Sequence, residues 1–397
     1  LPMELMIWCI VGMAIFRHIP MSQIVHQLDI VLPGKKAYVA PSAIVQARQR
    51  LGIDAVKAVF EQTQNIWNEA TPHPNWCGLT LHGVDGIVWH TPDSPENQMA
   101  FSRCSNSNGS GSYPQVRMVC QMELTSHLIN GASFACVSEN EMILAVDLIK
   151  TTPDYSLTLF DKGFYSLGLL YEWQQSGKER HWLLPLKAGT QYKVIRKLGG
   201  SDAIVELSTT PQAKKKWDKL PGTIRARLLT KTIDGKKRQV LTSLVDCMKY
   251  PAADIVSLYS HRWEIELGYR EIKQYMLQNQ MTLRSKKPDM VKQELWGILL
   301  AYNLLRFQMA RMAYSMDGIE PNQLSFNQAA SYIIKELTIL PAVSPGNIPK
   351  AMNRMLEMAR AFVLPIRRER SYPRCVKRKP QKYPTRSGPK KNASQLN

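Results

Sequence analysis

The sequence predicts an α/β fold: a mixed sheet with flanking helices, interrupted by a β-rich insertion and preceded by a helical segment. Three observations predict it. Between residues 78 and 186, short apolar or alternating runs give three adjacent strands, then helix, strand, helix and strand. From about 187 to 248 the periodicity is of strands alone. Before residue 73 and after residue 249 the apolar residues recur at helical spacing.

The helical start comes first. Leu5 to Phe16 is strongly apolar but only about a dozen residues long, bounded by Glu4 and Arg17. That is too short for a membrane span of about 20 residues, and no basic segment or small-residue cleavage site accompanies it. It reads as a buried helix. The chain begins on Leu1 without Met, which leaves room for a natural segment before it. Pro20 to Leu28 and Ser42 to Leu51 are amphipathic helices, joined by a loop holding Gly34, Lys35 and Lys36. Ser42, after Pro41, reads as an N-cap. Gln46, Arg48, Gln49 and Arg50 give the second helix either a DNA-reading face or merely a solvated one.

The α/β part follows. Gly78 to Asp85 and Gly86 to His90 are strand material, Ser102 to Ser112 is a polar loop, and Gln115 to Glu123 and Ala132 to Val137 are strands. Glu139 to Lys150 reads as helix, Tyr155 to Phe160 as strand, Tyr165 to Gln175 as helix and His181 to Leu186 as strand. In the insertion, Gln191 to Leu198, Ala203 to Ser208, Ile224 to Thr232 and Arg238 to Val245 are strands. The last two flank Asp234-Gly235, a hairpin signal. Ala252 to about Met276 reads as one long helix, followed by helices at about 288–314, 324–337 and 349–362. The implied domains are 1–72 (helical), 73–186 and 249–340 (two parts of one catalytic domain), 187–248 (β insertion) and 341–397 (helix and basic tail).

The charge balance narrows the partner. Lys and Arg number 51 against 32 Asp and Glu, a net of +19. Residues 367–391 hold eleven bases and one acid, a net of +10, so the rest of the chain still carries 40 against 31, or +9. A basic body as well as a basic tail favours nucleic acid over a membrane surface. Seven scattered cysteines with no C-x-x-C pair argue against a zinc ribbon or disulfide scaffold and suit a reducing, cytoplasmic setting. No phosphate-binding loop of the G-x-x-x-x-G-K-[ST] type occurs, so ATP is not implied. His73, His82, His90 and His181 lack metal-ligand spacing and read as structural.

Metal-assisted phosphodiester chemistry needs acids from distant segments converging on one point, around two ions about 4 Å apart. Asp85 stands before Gly86, and Asp161 follows the apolar run Ser156 to Phe160, where α/β sheets place their ligands. Each alone is more simply a turn-capping Asp. On the helix, at 100° per residue, Tyr259, Arg262, Glu266 and Lys273 fall within about 60° of one another, whereas Glu264 and Glu271 fall on another face. A carboxylate between cations fits a metal ligand flanked by phosphate-holding groups. Arg262 and Glu266 also fit an ordinary i, i+4 ion pair.

The pattern Y-x2-R-x3-E-x6-K (Tyr259, Arg262, Glu266, Lys273) resembles the Y-R-E-K signature of DDE transposases from bacterial insertion sequences. The order of acids is similar too: Asp85 in Val84-Asp85-Gly86 with Thr91-Pro92-Asp93-Ser94 after it, Asp161 in D-x-G-F-Y, then the signature helix. The resemblance runs from about residue 1 to 340 and implies an RNase H-like catalytic domain with its insertion between Asp161 and Glu266. It implies Asp85, Asp161 and Glu266 as catalytic ligands of two Mg²⁺ ions (Mn²⁺ a possible substitute) and Tyr259, Arg262 and Lys273 as DNA contacts. It further implies excision at element-end inverted repeats, joining of 3′ ends to target DNA, and a dimer on paired ends in the bacterial cytoplasm. Ile87 and Lys162 depart from the family's usual Thr or Ser and Arg. An aromatic residue of the insertion that stacks a flipped base is also implied, with Trp182 and Trp217 as options. A nuclease or resolvase without strand transfer, and a non-catalytic DNA-binding relic, are the alternatives.

Overall fold

The computed structural model describes residues 2–31, 40–106, 109–233, 236–280 and 282–365. One compact unit spans Leu1–Val363. It opens with three helices, α1 (Met3–Ile15), α2 (Met21–Val31) and α3 (Pro41–Glu69). The strands of the α/β layer are β1 (Asn75–Trp76), β2 (Leu79–His90), β3 (Arg103–Asn106), β4 (Gly109–Glu123), β5 (Ile129–Cys136), β6 (Ser156–Phe160) and β7 (Arg180–Pro185). Between them stand α4 (Pro95–Phe101), α5 (Glu141–Asp147) and α6 (Leu167–Gln175). The insertion consists of β8 (Lys193–Gly199), β9 (Asp202–Ser208), α7 (Pro211–Lys216), β10 (Thr223–Ile233) and β11 (Lys236–Thr242). Helices α8 (Ala252–Leu258), α9 (Trp263–Arg270), α10 (Pro288–Tyr314), α11 (Phe326–Ile339) and α12 (Ile348–Glu357) complete it.

One sheet runs through the whole unit in the order β3-β4-β2-β6-β7-β11-β10-β9-β8, with β5 also paired to β4 and β1 to β2. β6 pairs in parallel with β2 and β7, and all five of its residues, Ser-Leu-Thr-Leu-Phe, are buried. A continuous apolar run is what a central strand covered on both faces requires. The insertion extends this same sheet, because β11 pairs antiparallel with β7 at Leu241↔Leu184. Its register across the hairpin runs Ile233↔Lys236, with Asp234-Gly235 itself outside the described residues.

Apolar residues fill both sides of the sheet. On one face Trp89, Met118, Met122, Leu157 and Leu159 pack with Ile265 of α9 and Leu299 and Tyr302 of α10. On the other, Val84, Val119 and Phe160 pack with Leu144 of α5 and Leu169, Leu170 and Trp173 of α6.

The first helices belong to this core. Met6, Ile10 and Met13 of α1 are each 1% exposed, so the apolar run is a buried helix as its length implies. α1 lies so close to α10 that a Cβ on Gly297 would stand 2.4 Å from Ile10 Cγ2. Arg17 and Glu294 form a buried ion pair at 2.8 Å, and Glu294 also accepts from the backbone N–H groups of Arg284 and Ser285.

Several expectations are corrected. Ser42 is not the N-cap: Pro41 occupies the first helical position after Ala40, where its missing N–H has no intrahelical partner to lose. α3 runs on past Leu51, bent at Gly52, whose φ of 72° lies in the left-handed region. Arg48 does not face outward. It is 6% exposed and donates to Gln293 Oε1 at 2.8 Å and Ser285 Oγ at 3.0 Å, leaving Gln46, Gln49 and Arg50 as the exposed polar residues there. The polar stretch 102–112 is mostly a β-ribbon, β3 against the start of β4. The insertion holds a helix, α7, as well as strands. The long helix expected at 252–276 is a succession: α8, a 3₁₀ turn (Tyr259–Arg262), α9, and a π turn (Glu271–Met276). The Gly34–Lys36 loop and the basic stretch 367–391 lie outside the described residues.

Glu294→Ala leaves Arg17 charged and buried without its carboxylate. Urea unfolding should report a loss of about 3–5 kcal/mol; a change below about 1 kcal/mol would show that the pair does not hold the N-terminal helices in place.

Candidate active site

Strand pairing brings the two aspartates together. Val84 of β2 is the register partner of Phe160 of β6 in a parallel ladder, so the residues that follow stand side by side, Asp85 in mid-strand and Asp161 at the carboxyl end of β6. Asp161 leaves the strand and caps the next turn, accepting from Lys162 N–H at 2.6 Å. Asp85 Oδ1 accepts from Gly86 N–H at 2.8 Å.

The helix supplies the rest. Tyr259 OH donates to the carbonyl of Phe160 at 3.4 Å, placing its ring beside the residue that precedes Asp161. Arg262 donates to Glu266 Oε1 at 2.7 Å and stands 3.5 Å from Asp85 Oδ2. Its guanidinium therefore sits between two of the three acids. Tyr269 OH donates to the Asp85 carbonyl at 2.6 Å and ties α9 to β2. Lys273, in the π turn, feels the charge of Asp85.

Glycines permit this convergence. A Cβ on Gly83 would stand 2.9 Å from Leu124 Cδ2 and 3.5 Å from Ile265, and one on Gly86 only 2.5 Å from Glu141 Oε1. β2 thus admits a helix against each of these residues. Ile87, the departure from the family pattern, is 4% exposed and packs in the core.

The electrostatics follow from partial burial. Desolvation pushes the Asp85 carboxyl up to about 6, despite the Gly86 N–H and Arg262, and Glu266 and Glu141 add to the rise. Burial also drives Tyr259 up to about 12, with Arg262 opposing, and holds the Lys273 ammonium below its usual value, with Asp85 opposing. A site that disfavours its own charges in this way is completed by a counter-ion or a ligand.

All six expected residues gather around the middle of β2 and the carboxyl end of β6. Among the described residues no three His, Cys, Asp or Glu side chains stand close enough together to hold an ion in this conformation. Arg262 stands between Asp85 and Glu266 and touches both carboxylates. The donor set still fits a hard divalent cation, since carboxylate oxygens are what such ions take, and displacement of one guanidinium opens the space.

Of the aromatic options, Trp182 is 1% exposed within the core beneath α6, so it stacks on nothing outside. Trp217 is half-buried against Gly168, where a Cβ would stand 2.2 Å from Trp217 Cδ1. The histidines read as structural are paired within the fold: His82 with Thr80 and Asn130, His73 with Glu123, His181 with Ser243. Sequence reasoning missed Glu141 and Tyr269. Tyr269 lies three residues after Glu266 on the same helix, a spacing that was available as a signal.

The sequence model described as transposase DDE domain matches residues 83–304, and that described as insertion element 4 transposase N-terminal matches residues 1–61. The chain is 55% identical over 394 residues to the transposase InsG for insertion sequence element IS4 of Escherichia coli (strain K12), covering 99% of this chain and 89% of that protein. It is 35% identical over 232 residues to the putative transposase InsZ of the same organism, 57% of this chain and 70% of that one. A cryo-EM structure of the piggyBac transposase synaptic complex with hairpin DNA covers 93% of this chain and 78% of its own at 10% identity, with a TM-score of 0.41, a loose likeness that carries no weight for the site.

The raised pKa of Asp85 has a stability consequence. An acid bound more tightly to its proton in the native state stabilises the fold fully below its unfolded value of 3.8, and that contribution is lost as pH rises through about 6. At pH 7.5 the charge is therefore a cost. Asp85→Asn should raise the melting temperature of the EDTA-treated protein at pH 7.5 and leave it nearly unchanged at pH 4; a lower melting temperature at pH 7.5 would contradict this.

Proposed function

The chain belongs to the DDE transposases of the insertion element 4 type, and from that membership we propose that it cuts an insertion sequence at its inverted repeats and joins the freed 3′ ends to target DNA. As a member it is a DNA transposase whose substrate is DNA and whose chemistry depends on divalent metal. No helix among the described residues is long and apolar enough to cross a membrane.

In this reading Asp85, Asp161 and Glu266 hold two divalent ions, Mg²⁺ by preference with Mn²⁺ as substitute. The observation that carries it is the side-by-side placement of Asp85 within β2 and Asp161 at the end of the paired β6, with Arg262 bridging Asp85 to Glu266. When bound, such ions lower the pKa of an attacking hydroxyl and stabilise the leaving oxyanion. The chain's own residues do the rest. Arg262, once released from the carboxylates, offers a planar fork to a phosphate. Lys273 and Tyr259 flank it and orient the scissile strand. The half-buried setting excludes bulk water and strengthens each contact. A dimer on paired ends, in the bacterial cytoplasm, completes the proposal, because two ends must be cut in one complex.

The test is an assay with the element's terminal repeats and Mg²⁺, comparing wild type with Glu266→Ala. Metal-dependent cleavage and end joining should disappear in the variant while DNA binding persists. Cleavage without joining in the wild type would instead make the chain a nuclease, and equal binding with no cleavage in either protein would make it a DNA-binding relic.

A second expectation concerns Arg262 in the absence of DNA. Removing the cation that competes for Asp85 and Glu266 should tighten Mn²⁺ binding by Arg262→Ala roughly threefold to tenfold, read by calorimetry. Weaker binding would mean that the guanidinium assists the ions and does not stand in for them.

A further inference from the structure

The other side of the signature helix carries a constellation that the chemistry above leaves unused. His127 lies in the turn between β4 and β5, at a φ of 61°, and is 1% exposed. Its Nε2 stands 2.9 Å from Glu264 Oε2 and its Nδ1 3.3 Å from Glu271 Oε2. Tyr302 OH of α10 donates to Glu271 Oε2 at 2.7 Å. Arg306, fully buried on α10, brings its guanidinium to 3.5 Å from Glu271 Oε1 and donates to the Ser126 carbonyl at 2.7 Å.

A neutral imidazole has one N–H and satisfies one carboxylate; acidic partners on both ring nitrogens require both to be donors, which is the imidazolium. The charges agree. Glu264 and Glu271 against His127 and Arg306 balance only when His127 is protonated. Burial and Arg306 work against that proton, and the two carboxylates outweigh them, so the His127 pKa is raised.

The clamp straddles a junction. Glu264 belongs to α9, whereas Glu271 is the first residue of the π turn, marked by a hydrogen bond from Leu277 N–H to the Ile272 carbonyl at 2.9 Å. Such turns are uncommon and poorly stable on their own, and they recur at functional sites. Glu264 and Glu271 are seven residues apart and face one side. Glu266 of α9 and Lys273 of the π turn face the other. One ring that grips both segments fixes the rotation of one relative to the other.

We infer that His127, as an imidazolium between Glu264 and Glu271, is a positioning residue that sets the angular offset between Glu266 and Lys273. This rests on Glu266 being the third catalytic carboxylate. Neighbouring packing leaves the helix little other freedom: a Cβ on Gly268 would stand 2.5 Å from Met122 Cε, and Tyr269 is bonded to the Asp85 carbonyl. The remaining freedom is rotation at the junction, and a misplacement of about 1 Å can cost about a hundredfold in rate.

Four proteins test it in single-turnover cleavage, end binding and thermal melting: His127→Gln, Glu264→Gln, the double variant, and Glu266→Ala. His127→Gln leaves an excess negative charge and should bind ends within about twofold of wild type while cleaving about tenfold or more slowly. The double variant restores charge balance and should regain at least about threefold of that loss; a merely structural role predicts a further fall. Should His127→Gln fail to fold, Glu264→Gln gives the same reading, slowed cleavage with binding kept. A folded single variant that cleaves at the wild-type rate, or a double variant slower than His127→Gln, overturns the inference while an inactive Glu266→Ala leaves the site intact. Cleavage by Glu266→Ala would remove the premise and the inference together.

Discussion

The parallel register of β2 on β6 is the constraint on which the site depends. Pairing Val84 with Phe160 places Asp85, in the middle of β2, beside Asp161 at the carboxyl end of β6, and the antiparallel pairing of Asp85 with Cys120 of β4 holds β2 from its other edge. A slip of one residue would turn every side chain of β2 to the opposite face. The slip is blocked by what each face buries. Val84 belongs to the core beneath α5 and α6, whereas Ile87 and Trp89 belong to the core beneath α9 and α10. Hydrophobic burial on two sides thus sets the position of a carboxylate that itself gains nothing from being there.

That carboxylate exposes the tension in the site. Desolvation in a partly dry cleft drives Asp85 up to about 6, and the nearby Glu266 and Glu141 carboxylates add to the rise. Arg262 relieves part of it by touching two of the acids at once. The same guanidinium blocks convergence on an ion. On the proposed reading, the divalent ions and the DNA phosphates exchange partners with Arg262, carboxylates going to the metal and guanidinium to the phosphate. Electrostatic compensation within the protein and catalytic readiness are alternative uses of one side chain.

Much of the architecture was legible because it rests on periodicity. The all-buried run at Ser156–Phe160, the alternation of the β4 and β5 segments and the helical stripes of α10 and α11 each report how many faces are covered. The acids were legible because their spacing follows the fold: one within a strand, one just after the neighbouring strand, one on a helix. What escaped notice depends on tertiary contact. The π turn has no sequence code of its own, and its first residue, Glu271, is bonded to Tyr302 from a distant helix. The ribbon at β3 is written in Ser, Asn and Gly, residues that also spell loop. Arg48 was placed on the surface by its charge, yet Gln293 and Ser285, more than 230 residues away, supply it with a buried cradle. Trp182 was offered to DNA by its residue type and withheld by the strand that buries it. The long-range pairing of His127 is invisible to any local window.

The buried arginines carry the last step. Arg17, Arg48 and Glu294 tie α1 and α3 to α10 and to the segment 282–286, which closes on the end of β2: Leu283 N–H donates to the His90 carbonyl at 2.8 Å, and Ser94 Oγ to the Lys286 carbonyl at 2.5 Å. Apolar residues of the same volume would pack there at lower desolvation cost. They would also tolerate many rotations of α1 and α3 about α10, since dispersion contacts are weakly directional. A guanidinium such as that of Arg48, which donates to Gln293 Oε1, Ser285 Oγ and the Met290 carbonyl, tolerates far fewer. The N-terminal helices are therefore held in orientation relative to the end of β2 by buried hydrogen bonds as well as by packing.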